Sequence, residues 1–71
     1  MKSEDQLAAA TEECREAIGL DPSDAGAHND LGELLMLQHR LADALIELNK
    51  ALELDPSNIE ARNNRELLLH R

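Results

Sequence analysis

Leu20-Asp21-Pro22-Ser23 returns as Leu54-Asp55-Pro56-Ser57, displaced by 34 residues. The two strings contain both prolines of the chain. Helix-breaking punctuation at a fixed spacing is the mark of a repeated supersecondary unit. The match runs well past the loops when residues 41–71 are laid over residues 7–37. Identical pairs on the helical flanks include Leu41/Leu7, Ala42/Ala8, Ala44/Ala10, Glu47/Glu13, Ala51/Ala17, Ala61/Ala27, Asn63/Asn29, Leu68/Leu34 and Leu69/Leu35. With the loop residues the total is 13 identities in 31 positions. Chance matching gives only a few, so the chain repeats itself.

The segments between the breaks are rich in Ala, Leu, Glu, Arg and Gln, all good helix formers, with no β-branched run. Leu7, Ala10, Cys14, Ala17 and Ile18 fall at three- and four-residue steps, as on one helical face. So do Leu41, Ala44, Leu45, Leu48, Ala51 and Leu52, and so do Leu31, Leu34 and Leu35. The pattern predicts helices over 3–20, 25–38, 41–54 and 58–70. Ser3 with Gln6, and Ser57 with Glu60, have capping-box spacing. Asp21-Pro22-Ser23-Asp24 ends one helix and caps the next, and His39-Arg40 marks another turn. Connections this short favour antiparallel neighbours.

Composition narrows the function classes. Seventy-one residues allow one small domain, with no room for a large enclosed active site. Such a chain buries roughly 60% of its unfolded surface and is stable by a few kcal/mol. Fifteen Asp and Glu against seven Lys and Arg give a net charge of −8. That balance speaks against nucleic acid and anionic membranes as partners, because both call for clustered Lys and Arg. Aromatic residues are absent, which excludes a stacking platform for bases. A hydrophobic content of 42% still supports a packed core. The single cysteine rules out an internal disulfide framework and fits a reducing compartment. No apolar run approaches the ~18 residues of a membrane span, and no signal-peptide pattern follows Met1. The expected location is the cytoplasm.

A 34-residue unit of helix, turn and helix resembles the tetratricopeptide repeat. The matching residues are His28-x2-Leu31-Gly32-x2-Leu35, then Ala44-x3-Leu48-x2-Ala51, then Pro56. Residues 25–58 resemble one complete repeat. Residues 7–24 resemble the second half of a preceding repeat, and residues 59–71 the first helix of a following one. The resemblance implies an all-α fold, an antiparallel helix–turn–helix stack of four helices forming a segment of right-handed α-solenoid, in a single domain over 1–71. Gly32 opposite Ala44 is its most specific element, since two small residues let paired helices approach closely. The departures also inform. His28, Leu35 and Leu48 stand where the family carries large aromatics. His39 replaces the glycine common in the turn, and histidine tolerates positive φ better than a β-branched residue does. Arg62, Arg65 and Glu66 hold packing positions of the last helix. Polar residues there suit a solvent-facing terminal helix, so residue 71 is expected to end the array rather than to cut through it.

Paired carboxylates such as Glu12-Glu13 and Asp43 with Glu47 have no apolar wall or second catalytic partner beside them, and they read as solvated helical faces. Cys14, His28, His39 and His70 share no metal-ligand spacing. Cys14 reads as a small hydrophobe on an apolar face and His28 as an aromatic substitute at the core edge. Leu31-x-x-Leu34-Leu35 spells a helix-docking pattern, but Leu31 and Leu35 are already claimed by the repeat core. Neither an enzyme nor a cofactor is implied. The resemblance implies a protein–protein interaction module that binds a partner on its concave face. The implied groove residues are Asn29, Asp30, Glu33, Met36 and Leu37 on one helix and Asn63, Asn64, Leu67, His70 and Arg71 on the next. Asparagine can bond a peptide backbone through both donor and acceptor, and the acidic balance favours basic or neutral partners. The alternative is self-association, with a homo-oligomer formed through the incomplete end helices.

Overall fold

A computed structural model describes residues 4–70. The helices are α1 (Glu4–Leu20), α2 (Ala25–Leu37), α3 (Leu41–Leu54) and α4 (Ile59–Leu69). They agree with the expected spans to within a residue at either end.

The two Asp-Pro-Ser loops are built alike. The carboxylate of Asp21 accepts from the Ser23 backbone N–H at 3.1 Å and its hydroxyl at 2.7 Å. Asp55 does the same with Ser57 at 3.1 and 2.6 Å. The next residue then caps the following helix: Asp24 accepts from the Ala27 N–H at 3.1 Å and Asn58 from the Ala61 N–H at 3.0 Å. The capping box expected from Ser57 is therefore replaced. Asp55 engages the serine hydroxyl, Asn58 becomes the N-cap, and α4 starts at Ile59. The Ser3 cap lies outside the described residues.

Between α2 and α3, His39 takes a φ of 60°. Its N–H donates to the Met36 carbonyl at 2.9 Å, and the Arg40 N–H donates to the Leu35 carbonyl at 2.9 Å. This is the Schellman closure, which needs one left-handed residue after the helix. Histidine supplies it where the family commonly has glycine.

Leu31, Leu35, Met36, Ala44, Leu48, Ala51, Ala61 and Leu68 form the core, so Leu31 and Leu35 are packing residues. Gly32 sets the approach of α2 to α3. A Cβ there would stand 2.8 Å from both Cγ and Cδ2 of Leu48 and 3.3 Å from the Ala44 carbonyl oxygen. The closest neighbour is thus Leu48, with Ala44 beside it. His28, buried at the same seam, places Nδ1 at 2.9 Å from a Glu47 carboxylate oxygen and Nε2 at 2.9 Å from the Pro22 carbonyl. That carbonyl only accepts, so the Nε2 proton points to it. The ring ties α2 to α3 and to the preceding loop.

Among the described residues the backbones of α2 and α4 come within 8 Å of each other, whereas those of α1 and α3 do not. Helices of the α2/α4 layer are therefore closer together than those of the α1/α3 layer. The stack bends toward the α2/α4 side, which makes that side concave.

Candidate functional site

The concave face is made by α2 and α4. Its residues divide into a buried hydrogen-bonded seam and an open rim. Asn29 lies in the seam, 1% exposed. Its Nδ2 donates to a Glu60 carboxylate oxygen at 3.3 Å, and its Oδ1 accepts from Asn64 Nδ2 at 2.9 Å. Asn64 Nδ2 also reaches a Glu33 carboxylate oxygen at 3.5 Å. Both asparagines thus spend amide groups on joining the two helices. Met36 is buried in the core. Asn29 and Met36 belong to the support of the face rather than to its open surface.

Asp30, Glu33 and Leu37 on α2 are exposed, as are Asn63, Leu67 and His70 at the α4 edge. Arg71 lies outside the described residues. The rim is acidic. Partial desolvation beside the groove is the first cause that raises the Asp30 carboxyl above its ordinary value, and the carboxylates of Glu33, Glu60 and Asp24 add to it. Glu60 was missed in the sequence. Its partner Asn29 lies 31 residues earlier, three short of the repeat, so repeat-equivalent positions do not pair them.

An open groove of about 520 Å3 lies beside this face, between α1 and α2. Ala10, Cys14, Ala17 and Leu34 give it an apolar floor, and Glu13, Asp24, Asp30 and Glu33 give it acidic walls. The sequence offered a signal for it, since Ala10, Cys14 and Ala17 repeat the buried Ala44, Leu48 and Ala51. The Cys14 thiol is pushed up by burial first, then by Asp30 and Glu13. A nucleophile or metal ligand needs the opposite shift. Among the described residues no three His, Cys, Asp or Glu side chains converge as a metal site. No helix among them is long and apolar enough to cross a membrane.

No curated protein matches the chain significantly. The sequence model of one family, the tetratricopeptide repeat, matches residues 2–67. That span takes in α1 to α3, α4 up to Leu67, both Asp-Pro-Ser loops and the Gly32 crossing, and the chain belongs to the tetratricopeptide repeat family.

Proposed function

We propose that the chain holds a basic or neutral segment of a partner protein across the α2/α4 face. Tetratricopeptide repeats are in general non-catalytic protein-interaction modules. The observation that carries the finer reading is the open rim. Asp30 and Glu33 offer negative charge, Asn63 offers an amide not buried in the seam, and Leu37 and Leu67 offer exposed apolar surface. Carboxylates steer and orient a cationic segment, an amide bonds any peptide backbone, and exposed leucines add adhesion. The Lys, Asn and Arg set with which some co-chaperone relatives clamp a C-terminal carboxylate is not present. Asp30 and Glu33 would repel such a ligand.

Calorimetric titration of a basic and an acidic peptide of equal length tests this. The basic peptide is expected to bind, and more weakly as salt shortens the screening length to ~8–10 Å. Micromolar binding of an acidic C-terminal peptide would contradict the reading.

Self-association is a second reading, favoured by one comparison. Leu35 and Leu69 are the same repeat position, yet Leu35 is 2% exposed and Leu69 is 59% exposed. A packing surface used in the middle of the molecule is thus open on α4.

A further inference from the structure

The groove between α1 and α2 is the surface that seats α2, met one repeat earlier. Ala44, Leu48 and Ala51 of α3 are fully buried in the core that α2 completes. Ala10, Cys14 and Ala17 hold the same places in α1, 34 residues before, and there they are only half-buried beneath the open groove. On the far side, α4 repeats α2. Leu69 stands in the place of Leu35, without the cover that Leu35 has. The two open faces are the two halves of one helix contact, a contact completed in the molecule by α2 and α3.

We propose that α4 of one copy docks into the α1/α2 groove of a second copy, joining the two head to tail. This rests on the self-association reading and assigns its surfaces. Charge supports the assignment. Within the molecule His28 of α2 meets Glu47 of α3 at 2.9 Å. One repeat on from His28 is Arg62, and one repeat back from Glu47 is Glu13. Docking in the same register brings Arg62 of one copy to Glu13 of the other. Both are exposed, and neither forms an ion pair among the described residues. A second pair follows the same rule. Asn29 of α2 accepts from Asn64 of α4 at 2.9 Å. One repeat on from Asn29 is Asn63, and one repeat back from Asn64 is Asp30. An asparagine amide of one copy then faces an aspartate of the other and can donate to it. Residues 1–24 carry two positive and seven negative charges, net −5, and residues 59–71 carry three and two, net +1.

Two substitutions limit the contact. Arg65 stands in the place of the buried Leu31 and is held by Asn49 of its own α3 at 3.2 Å, and Glu66 stands where Gly32 allows α2 its close approach to α3. A docked α4 therefore lies farther from α1 than α2 lies from α3. The association is weak and salt-sensitive, the protein is monomeric when dilute, and the contact extends into short open chains because it is heterologous.

Sedimentation of the purified chain across concentration and salt reads this directly, with helicity followed by circular dichroism. The parent's mean mass is expected to rise with concentration and to fall with added salt. Arg62→Glu and Glu13→Arg, both at exposed positions, should each weaken association about tenfold or more without loss of helicity. The chain carrying both substitutions re-pairs the charges with reversed sign and should recover it. A parent that stays monomeric at the highest concentration would overturn both this proposal and self-association. An oligomer indifferent to both substitutions would overturn the docking in the α1/α2 groove and leave self-association through another face. A double variant as weak as the single ones would also overturn the proposed register.

Discussion

At the residue scale, the acidic rim carries a cost that pH exposes. Asp30 has its carboxyl raised from an ordinary 3.8, by burial first and then by Glu33, Glu60 and Asp24. The folded state then holds the Asp30 proton more firmly than the unfolded chain does. As pH rises from the ordinary value through the raised one, the unfolded chain has already lost that proton, and stability falls. At neutral pH the ionised Asp30 therefore opposes folding. Asp30→Asn is expected to raise Tm at pH 7, with a gain that shrinks as pH falls through the raised value and is lost below about 3.8. Thermal melts of parent and variant at both pH values check this, and an equal or lower Tm at pH 7 would contradict it. A residue that lowers stability while standing open beside a groove is what a binding surface tolerates. The sequence expected Asp30, Glu33 and Asn63 on this face, and all three side chains are exposed. It did not separate them from Asn29 and Met36, because helical periodicity reports which side a residue takes and not how far α4 covers α2.

At the scale of elements, the helices were legible because their ends are punctuated. The Asp-Pro-Ser loops stop α1 and α3, and the repeat of 34 residues transfers each boundary to the other. The one-residue error at α4 arose because Ser57 and Asn58 are both good caps. Only the Asp55–Ser57 hydrogen bond decides between them. The α2–α3 contact rests on Gly32. Alanine there gains about 1 kcal/mol of helix propensity. It also sets a Cβ 2.8 Å from Leu48 Cγ, a branch carbon rather than a flexible chain end, and overpacking of this kind costs ~1–3 kcal/mol. The clash wins. Gly32→Ala is expected to lower Tm by about 5 °C, and Gly32→Leu and Ala44→Leu to unfold the domain or nearly so, with Glu12→Ala as a silent control. Melting of Gly32→Leu within a degree or two of the parent would show that the helix pairing is not governed by this crossing.

At the scale of the molecule, curvature and charge act together. Among the described residues the backbones of α2 and α4 approach within 8 Å and those of α1 and α3 do not, and Asp30, Glu33, Asn63 and Leu67 stand exposed on the two helices that draw together. The groove beside them was legible in the sequence as an apolar face but not as an open one. Ala10, Cys14 and Ala17 read as one more core face, and only the assembled helices leave that face open. The account's central claim is that a basic partner segment lies across α2 and α4. Titrating a basic peptide into isotope-labelled protein, with amide chemical shifts followed residue by residue, tests it most directly. The account predicts saturable shifts centred on Asp30, Glu33, Leu37, Asn63 and Leu67, with the outward-facing Ile46 of α3 unmoved. Shifts centred on α3, or none at millimolar peptide, would contradict it.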